Sequence, residues 1–221
     1  MKYFSMFSGI GGFELGIRQA YENKKNRQQE PIRQRSVRRS GQRQRDISSI
    51  RSRGRKSDKE EGHRLEQWLC CGYSEINKYA IQIYEKHFNH KNYGSATTIK
   101  PTTLPDFDLL VGGFPCQAFS IAGKRGGFKD TRGTLFFDIA KVLKAKRPKN
   151  FVLENVKGLL SHDKGNTFAT IIRTIIELGY DCQWSVLNSK NFGVPQNRER
   201  VFIIGHLRGT SRPEVFPIGQ G

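Results

Sequence analysis

Phe7-Ser-Gly-Ile-Gly-Gly-Phe13 stands between two apolar patterns of different period. Before it, Tyr3, Phe4, Met6 and Phe7 read as a short buried strand. After it, Phe13, Leu15 and Ile17 begin an amphipathic helix. The glycines Gly9, Gly11 and Gly12 therefore occupy a strand-to-helix turn. There they let the backbone bend tightly and approach a ligand that a Cβ would exclude. The helix N-terminus adds free N–H groups for an anion or a carboxylate. A turn of this kind serves NAD, FAD, S-adenosylmethionine or no ligand at all. It is not a P-loop, because no Gly-Lys-Ser/Thr follows the glycines.

Working outward, strand and helix alternate. Leu69–Tyr73 reads as a strand and Ile76–Phe88 as a helix. Phe107–Val111 is a strand, Leu135–Lys144 a helix, Phe151–Leu153 a strand and Phe168–Leu178 a helix closed by Gly179. Cys182–Leu187 and Val201–Ile204 are strands, a last pair that can be antiparallel. The alternation predicts an α/β fold with a mostly parallel sheet and helices on both faces. Between Tyr21 and Gln67 the pattern breaks into Arg, Gln, Ser, Lys and Gly with few aliphatics. Such a segment buries too little apolar surface to offset its ordering entropy, so residues 21–67 read as a basic, disordered or loosely helical insert. The domain proper is then 1–20 and 68–206, with 207–221 as a tail.

The chain has 221 residues, 36% of them hydrophobic, and a formal charge of +18 from 38 Lys and Arg against 20 Asp and Glu. A surplus that large suggests a polyanionic partner, nucleic acid first. Residues 21–66 hold 15 Lys and Arg and 7 Asp and Glu, so most of the surplus lies elsewhere. The cysteines Cys70, Cys71, Cys116 and Cys182 form no metal-ligand spacing, and a reducing, cytoplasmic setting is expected, with no metal. No apolar stretch approaches 18 residues, which argues against a membrane span. The strand pattern starting at the N-terminus leaves no room for a signal peptide.

Three further places carry chemistry. Glu75 ends the second strand, where a carboxylate can accept ribose hydroxyls. In dinucleotide sites that residue comes about 20 positions after the first turn. Here it comes 63 after Gly12, and removing an insert of about 40 residues restores the spacing. Gly112-Gly-Phe-Pro-Cys-Gln-Ala-Phe-Ser120 follows the strongest strand. Cys116 comes after a Gly-Gly-Phe-Pro turn at the edge where ligands bind, which suits a nucleophile better than a core thiol. Glu154 ends the next strand. A carboxylate does not lower a neighbouring thiol's pKa, since like charges oppose each other. The pair makes more sense acting on opposite sides of one substrate, thiolate on carbon and carboxyl on a ring nitrogen. Arg198 and Arg200, in Gln196-Asn-Arg-Glu-Arg200, face one side if extended and can hold phosphate and a carbonyl oxygen. Lys124, Arg125, Lys129 and Arg132 punctuate a Gly-rich stretch suited to closing over nucleic acid.

Taken together, these segments resemble the DNA cytosine-5 methyltransferase family. Phe7-Ser-Gly-Ile-Gly-Gly12 is similar to its cofactor motif and Phe114-Pro-Cys-Gln-Ala-Phe-Ser120 to its nucleophile motif. Asp130-Thr-Arg-Gly-Thr-Leu-Phe136 resembles the motif after the catalytic loop, Glu154-Asn-Val156 the acid motif and Gln196-Asn-Arg-Glu-Arg200 the arginine motif. The resemblance implies a Rossmann-like methyltransferase fold, S-adenosyl-L-methionine as cofactor and a flipped cytosine as substrate. It assigns catalysis to Cys116, Glu154, Asn155, Arg198 and Arg200. The cofactor goes to Phe7, Gly9, Gly11, Gly12, Phe13, Glu75, Ile76, Ser95 and Pro115. It implies double-stranded DNA as partner, a cognate restriction endonuclease in the same system, and a second chain carrying a target-recognition domain, because that domain and two later motifs are missing here.

Three departures stand out. Met6 takes the place of an acidic residue, Ser95 that of an aspartate on the adenine amine, and Ala122 that of a loop serine. Met6 and Ser95, with the insert and the missing C-terminal part, favour a second reading, an inactive truncated fragment that binds DNA through charge alone. A nicotinamide oxidoreductase would share the glycine turn and Glu75 but give Cys116, Glu154 and Arg200 no common role.

Overall fold

The computed structural model describes residues 1–29, 68–115, 135–211 and 213–216. Cys116, the basic Gly-rich stretch with Ala122, and residues 30–67 of the expected insert lie outside the described residues.

Among the described residues, six strands form one sheet in the order β2-β1-β3-β4-β6-β5: β1 Lys2–Met6, β2 Leu69–Ser74, β3 Leu109–Gly113, β4 Asn150–Val156, β5 Tyr180–Asn188 and β6 Glu199–Leu207. β1 pairs in parallel with both β2 and β3, and β3 in parallel with β4. β6 runs antiparallel between β4 and β5. The expected mostly parallel sheet with an antiparallel closing pair is borne out. The helices are α1 Gly12–Gln29, α2 Lys78–His87, α3 Leu135–Lys146 and α4 Asn166–Glu177.

Alternate residues of the central strands divide the core between two faces. Phe4, Met6, Leu110, Phe151 and Leu153 meet Phe136, Ile139 and Leu143 of α3 and Ile171 and Ile175 of α4 on one face. On the other, Tyr3, Leu109 and Val111 meet Phe13 and Ile17 of α1. Each large apolar side chain buried this way contributes about 1.5–3 kcal/mol.

The segment from Tyr21, read from the sequence as disordered or loosely helical, begins as helix: α1 continues to Gln29. Residues 21–29, Tyr-Glu-Asn-Lys-Lys-Asn-Arg-Gln-Gln, are mostly good helix formers, so propensity extends the helix, and residues 22–26 are exposed. The absence of aliphatics there marks an exposed helix rather than the end of one.

The chain leaves β1 for β2 on one side and later returns to β3 on the other. That reversal opens a crevice beyond the carboxyl ends of β1 and β3, the usual ligand position in such sheets.

Candidate active site

Register alone brings four of the sequence-selected segments to this crevice. Met6 pairs with Gly112, Gly113 with Glu154, and Glu154 with Phe202, while Val156 pairs with Arg200. The glycine turn, the end of β3, the acid of β4 and the arginine of β6 therefore follow one another along a single edge.

At the β1 end, Phe7, Gly9 and Gly11 all have positive φ, 54°, 56° and 93°. The turn is stitched to β2 through the main chain: Ser8 N donates to Ser74 O at 3.2 Å. Gly9 N donates to Glu75 Oε2 at 2.9 Å. The other oxygen, Oε1, accepts from Ile76 N and Asn77 N, both at 2.8 Å. A carboxylate accepts about four hydrogen bonds, and the described residues fill three of them, one on Oε2 and two on Oε1. The glycines are not equivalent. A Cβ at Gly11 would stand 2.6 Å from Phe88 Cε2, so packing against the end of α2 dictates that glycine. A Cβ at Gly9 would meet nothing within 4 Å, leaving open space beside the turn. Gly12 opens α1, and Phe13 turns to the core beside Tyr3 and Val111. Ile76 is 71% exposed. The Ser95 hydroxyl is engaged locally with Thr97 Oγ1 at 2.8 Å.

Asn92 was not singled out from the sequence. Its amide contacts both Glu75 and Gly94. An asparagine in a polar loop gives no signal of this kind, because the contact depends on tertiary placement.

At the β3–β4 end, Glu154 Oε2 lies 3.0 Å from where a Cβ of residue 113 would be, so its carboxylate sits over the end of β3. Its Oε1 pairs with Arg200 Nε at 2.8 Å, both side chains about a quarter exposed. Arg200 Nη1 also donates to Glu199 O at 2.8 Å. A cleft of about 340 Å³ opens here, lined by Glu154, Arg198, Arg200, Leu187, Phe192 and Phe202. Phe192 and Phe202, absent from the sequence-based set, give it apolar walls. Asn155 points the other way and is buried. Its Nδ2 donates to Phe114 O at 2.8 Å and its Oδ1 accepts from Val156 N at 2.8 Å. The side chain thereby pins the backbone that leads through the exposed Pro115 to residue 116.

The cysteines among the described residues are poor nucleophiles. Burial pushes the Cys70 thiol up to about 11 and raises Cys71 and Cys182 as well. A raised thiol pKa leaves little thiolate at neutral pH.

This order of motifs along one sheet edge has known parallels. Residues 59–218 match the family model for C-5 cytosine-specific DNA methylases. The chain belongs to that family. It is 53% identical over 146 residues to the Type II methyltransferase M1.ScrFI of Lactococcus lactis subsp. cremoris, covering 66% of this chain and 38% of the relative. It is 41% identical over 216 residues to the Type II methyltransferase M.HgiCI of Herpetosiphon aurantiacus, covering 97% of this chain and 40% of that relative. The chain thus spans less than half the length of these curated relatives. Among solved structures, a Spodoptera frugiperda DNMT2 mutant superposes with a TM-score of 0.62 at 18% identity, covering 96% of this chain and 52% of that one. This likeness supports the α/β methyltransferase fold. Among the described residues, no helix is long and apolar enough to cross a membrane.

Proposed function

We propose that this chain is the cofactor-binding and catalytic part of a DNA cytosine-5 methyltransferase. The observation that carries the reading is the Glu154 carboxylate lying over Gly113, three residues before Cys116, with Arg200 paired to it. That arrangement suits a thiol and a carboxyl meeting opposite edges of one pyrimidine.

The residues present fit S-adenosylmethionine. Among the described residues, Glu75 keeps one acceptor position for a ribose hydroxyl and the space beside Gly9 is open. Phe7, Gly9, Gly12, Glu75, Ile76, Ser95 and Pro115 would hold it; when bound it supplies the methyl group. Gly11 and Phe13 support the turn through packing.

The substrate is double-stranded DNA whose target cytosine is turned out of the stack. Cys116 Sγ adds to C6 as a thiolate. The C5–C6 double-bond electrons move to C5, which is otherwise a poor nucleophile. Glu154 hydrogen-bonds N3 and the exocyclic amine and stabilises the charge that develops on the ring. Arg200 orients Glu154 and the base carbonyl, Arg198 takes a phosphate, and Asn155 holds the Phe114–Pro115 backbone. After methylation a base removes the C5 proton, the double bond re-forms and the thiolate leaves.

The full reaction needs a further part, whether continuous with this chain or on a second one. Ile10, Ile76 and Tyr79, each at least 60% exposed, belong to the glycine turn and the segment after Glu75. Apolar side chains left open beside a cofactor pocket suit cover by the rest of the relatives' length. A restriction endonuclease of matching specificity is the expected partner system, given the Type II names of the relatives.

The test is transfer of labelled methyl from S-adenosylmethionine to duplex DNA. The chain is assayed alone and with the C-terminal part of the Lactococcus relative supplied in trans. Label on C5 of cytosine is expected with the complement. Salt-sensitive DNA binding without label in either condition would favour the inactive fragment.

A further inference from the structure

We propose that Asn92 is a positioning residue of the cofactor pocket, acting through Glu75 and the Gly94-Ser95 segment. The proposal rests on the cofactor reading given above.

β2 is an edge strand, paired on one side with β1. On its outer side a single parallel bridge joins Tyr73 to Asn92. Tyr73 N donates to Lys91 O at 2.9 Å and Tyr93 N to Tyr73 O at 2.7 Å. The strand ends at Ser74, and without further support Glu75 would begin a loop.

The Asn92 side chain supplies the next rung. Its Nδ2 donates to Glu75 O at 3.2 Å and its Oδ1 accepts from Glu75 N at 3.4 Å. A primary amide carries the same donor and acceptor as a peptide group, so it can extend a ladder by one residue. The same Oδ1 accepts from Gly94 N at 2.8 Å, and Ser74 Oγ donates to Gly94 O at 2.7 Å. Gly94 O is thus tied to Ser74 at the end of β2, and Gly94 N to the same Asn92 oxygen that accepts from Glu75 N, so Glu75 is fixed relative to Ser95. Glu75 in turn holds the glycine turn through Gly9 N. Asn92 stands at the head of this chain of contacts. Aspartate lacks the donor and alanine lacks both groups.

The test is calorimetric titration of the full chain with S-adenosyl-L-homocysteine. Asn92→Ala should weaken binding roughly tenfold, as expected for loss of hydrogen bonds that hold a liganding group. Asn92→Asp should also weaken it, by a smaller factor, since the acceptor survives. In a Glu75→Ala background, Asn92→Ala should lose most of its effect, because neighbours that act through one another are not additive. Thermal melts separate this from a fold-only role, which would lower the melting temperature without that non-additivity. If Asn92→Ala does not fold, the Asp variant and its double mutant with Glu75→Ala carry the same comparison. Unchanged affinity in the Asn92 variants, or an equal loss with and without Glu75, overturns the proposal while leaving the cofactor reading intact. Absence of binding by the unaltered chain, both alone and with the C-terminal complement used above, overturns both.

Discussion

Around the ends of β1 and β2, Ser8, Gly9, Ile76, Asn77 and Gly94 are joined by main-chain N–H donors to fixed acceptors. Across the ends of β4 and β6, the joints are charged side chains: Arg200 with Glu154, and Lys157 with Glu199 at 2.9 Å. A pocket held by the backbone is formed before its ligand arrives and loses little entropy on binding. A partly exposed ion pair can exchange partners, because its net energy is small once solvent is counted. The contrast suits a cofactor that always docks the same way and a base that must enter, react and leave.

This division of labour can be broken by substitution. Glu154→Gln should lower turnover by about 10²–10³-fold, the range for a lost group that stabilises developing charge, with cofactor affinity unchanged in a binding titration. Comparable loss of cofactor affinity would show the two regions to be one. Gly11→Ala should cost about 3 kcal/mol of stability in a denaturant melt, from the Phe88 collision and the left-handed backbone. Gly9→Ala, with open space around it, should cost about 1 kcal/mol in the same melt and show its larger effect in cofactor affinity. Asn155→Ala should cost about 1–3 kcal/mol by leaving Phe114 O and Val156 N without partners. Its turnover should fall further than its stability explains.

The smallest effect concerns pH. Burial raises the Glu14 carboxyl above its ordinary value, against the hydrogen bond from Tyr84. The folded chain then holds its proton to higher pH than the unfolded chain. Stability is fully present below the ordinary carboxyl value and declines as pH rises through the folded one. Glu14→Gln should flatten that decline in melting temperature between acid and neutral pH. An unchanged slope would mean that Glu14 is ionised in the fold.

Sequence made one of these regions more legible than the other. The glycine turn and Glu75 are local signals, a strand end and a helix start, and the strand-helix alternation led directly to the sheet. The pairing of Glu154 with Arg200 depends on β6 inserting between β4 and β5, which no local pattern encodes. β5 and β6 also run longer than their apolar cores, because ladder pairing carries polar residues such as Asn188 and Glu199 into the strands. Helix α1 outlasts its apolar pattern for another reason, the helix propensity of residues 21–29. Asn92 was invisible because its partners are brought to it by the fold. Cys116 was selected from a turn motif, and it lies outside the described residues.

The most direct measurement is therefore chemical. Duplex DNA carrying 5-fluorocytosine is incubated with S-adenosylmethionine and this chain, complemented as above, and any denaturant-resistant complex is mapped by mass spectrometry. A thioether between Cys116 and the methylated, fluorinated base, lost in Cys116→Ser, is the result expected. A complex mapping to another residue, or no complex while label still reaches cytosine, would contradict the thiol-and-carboxyl account.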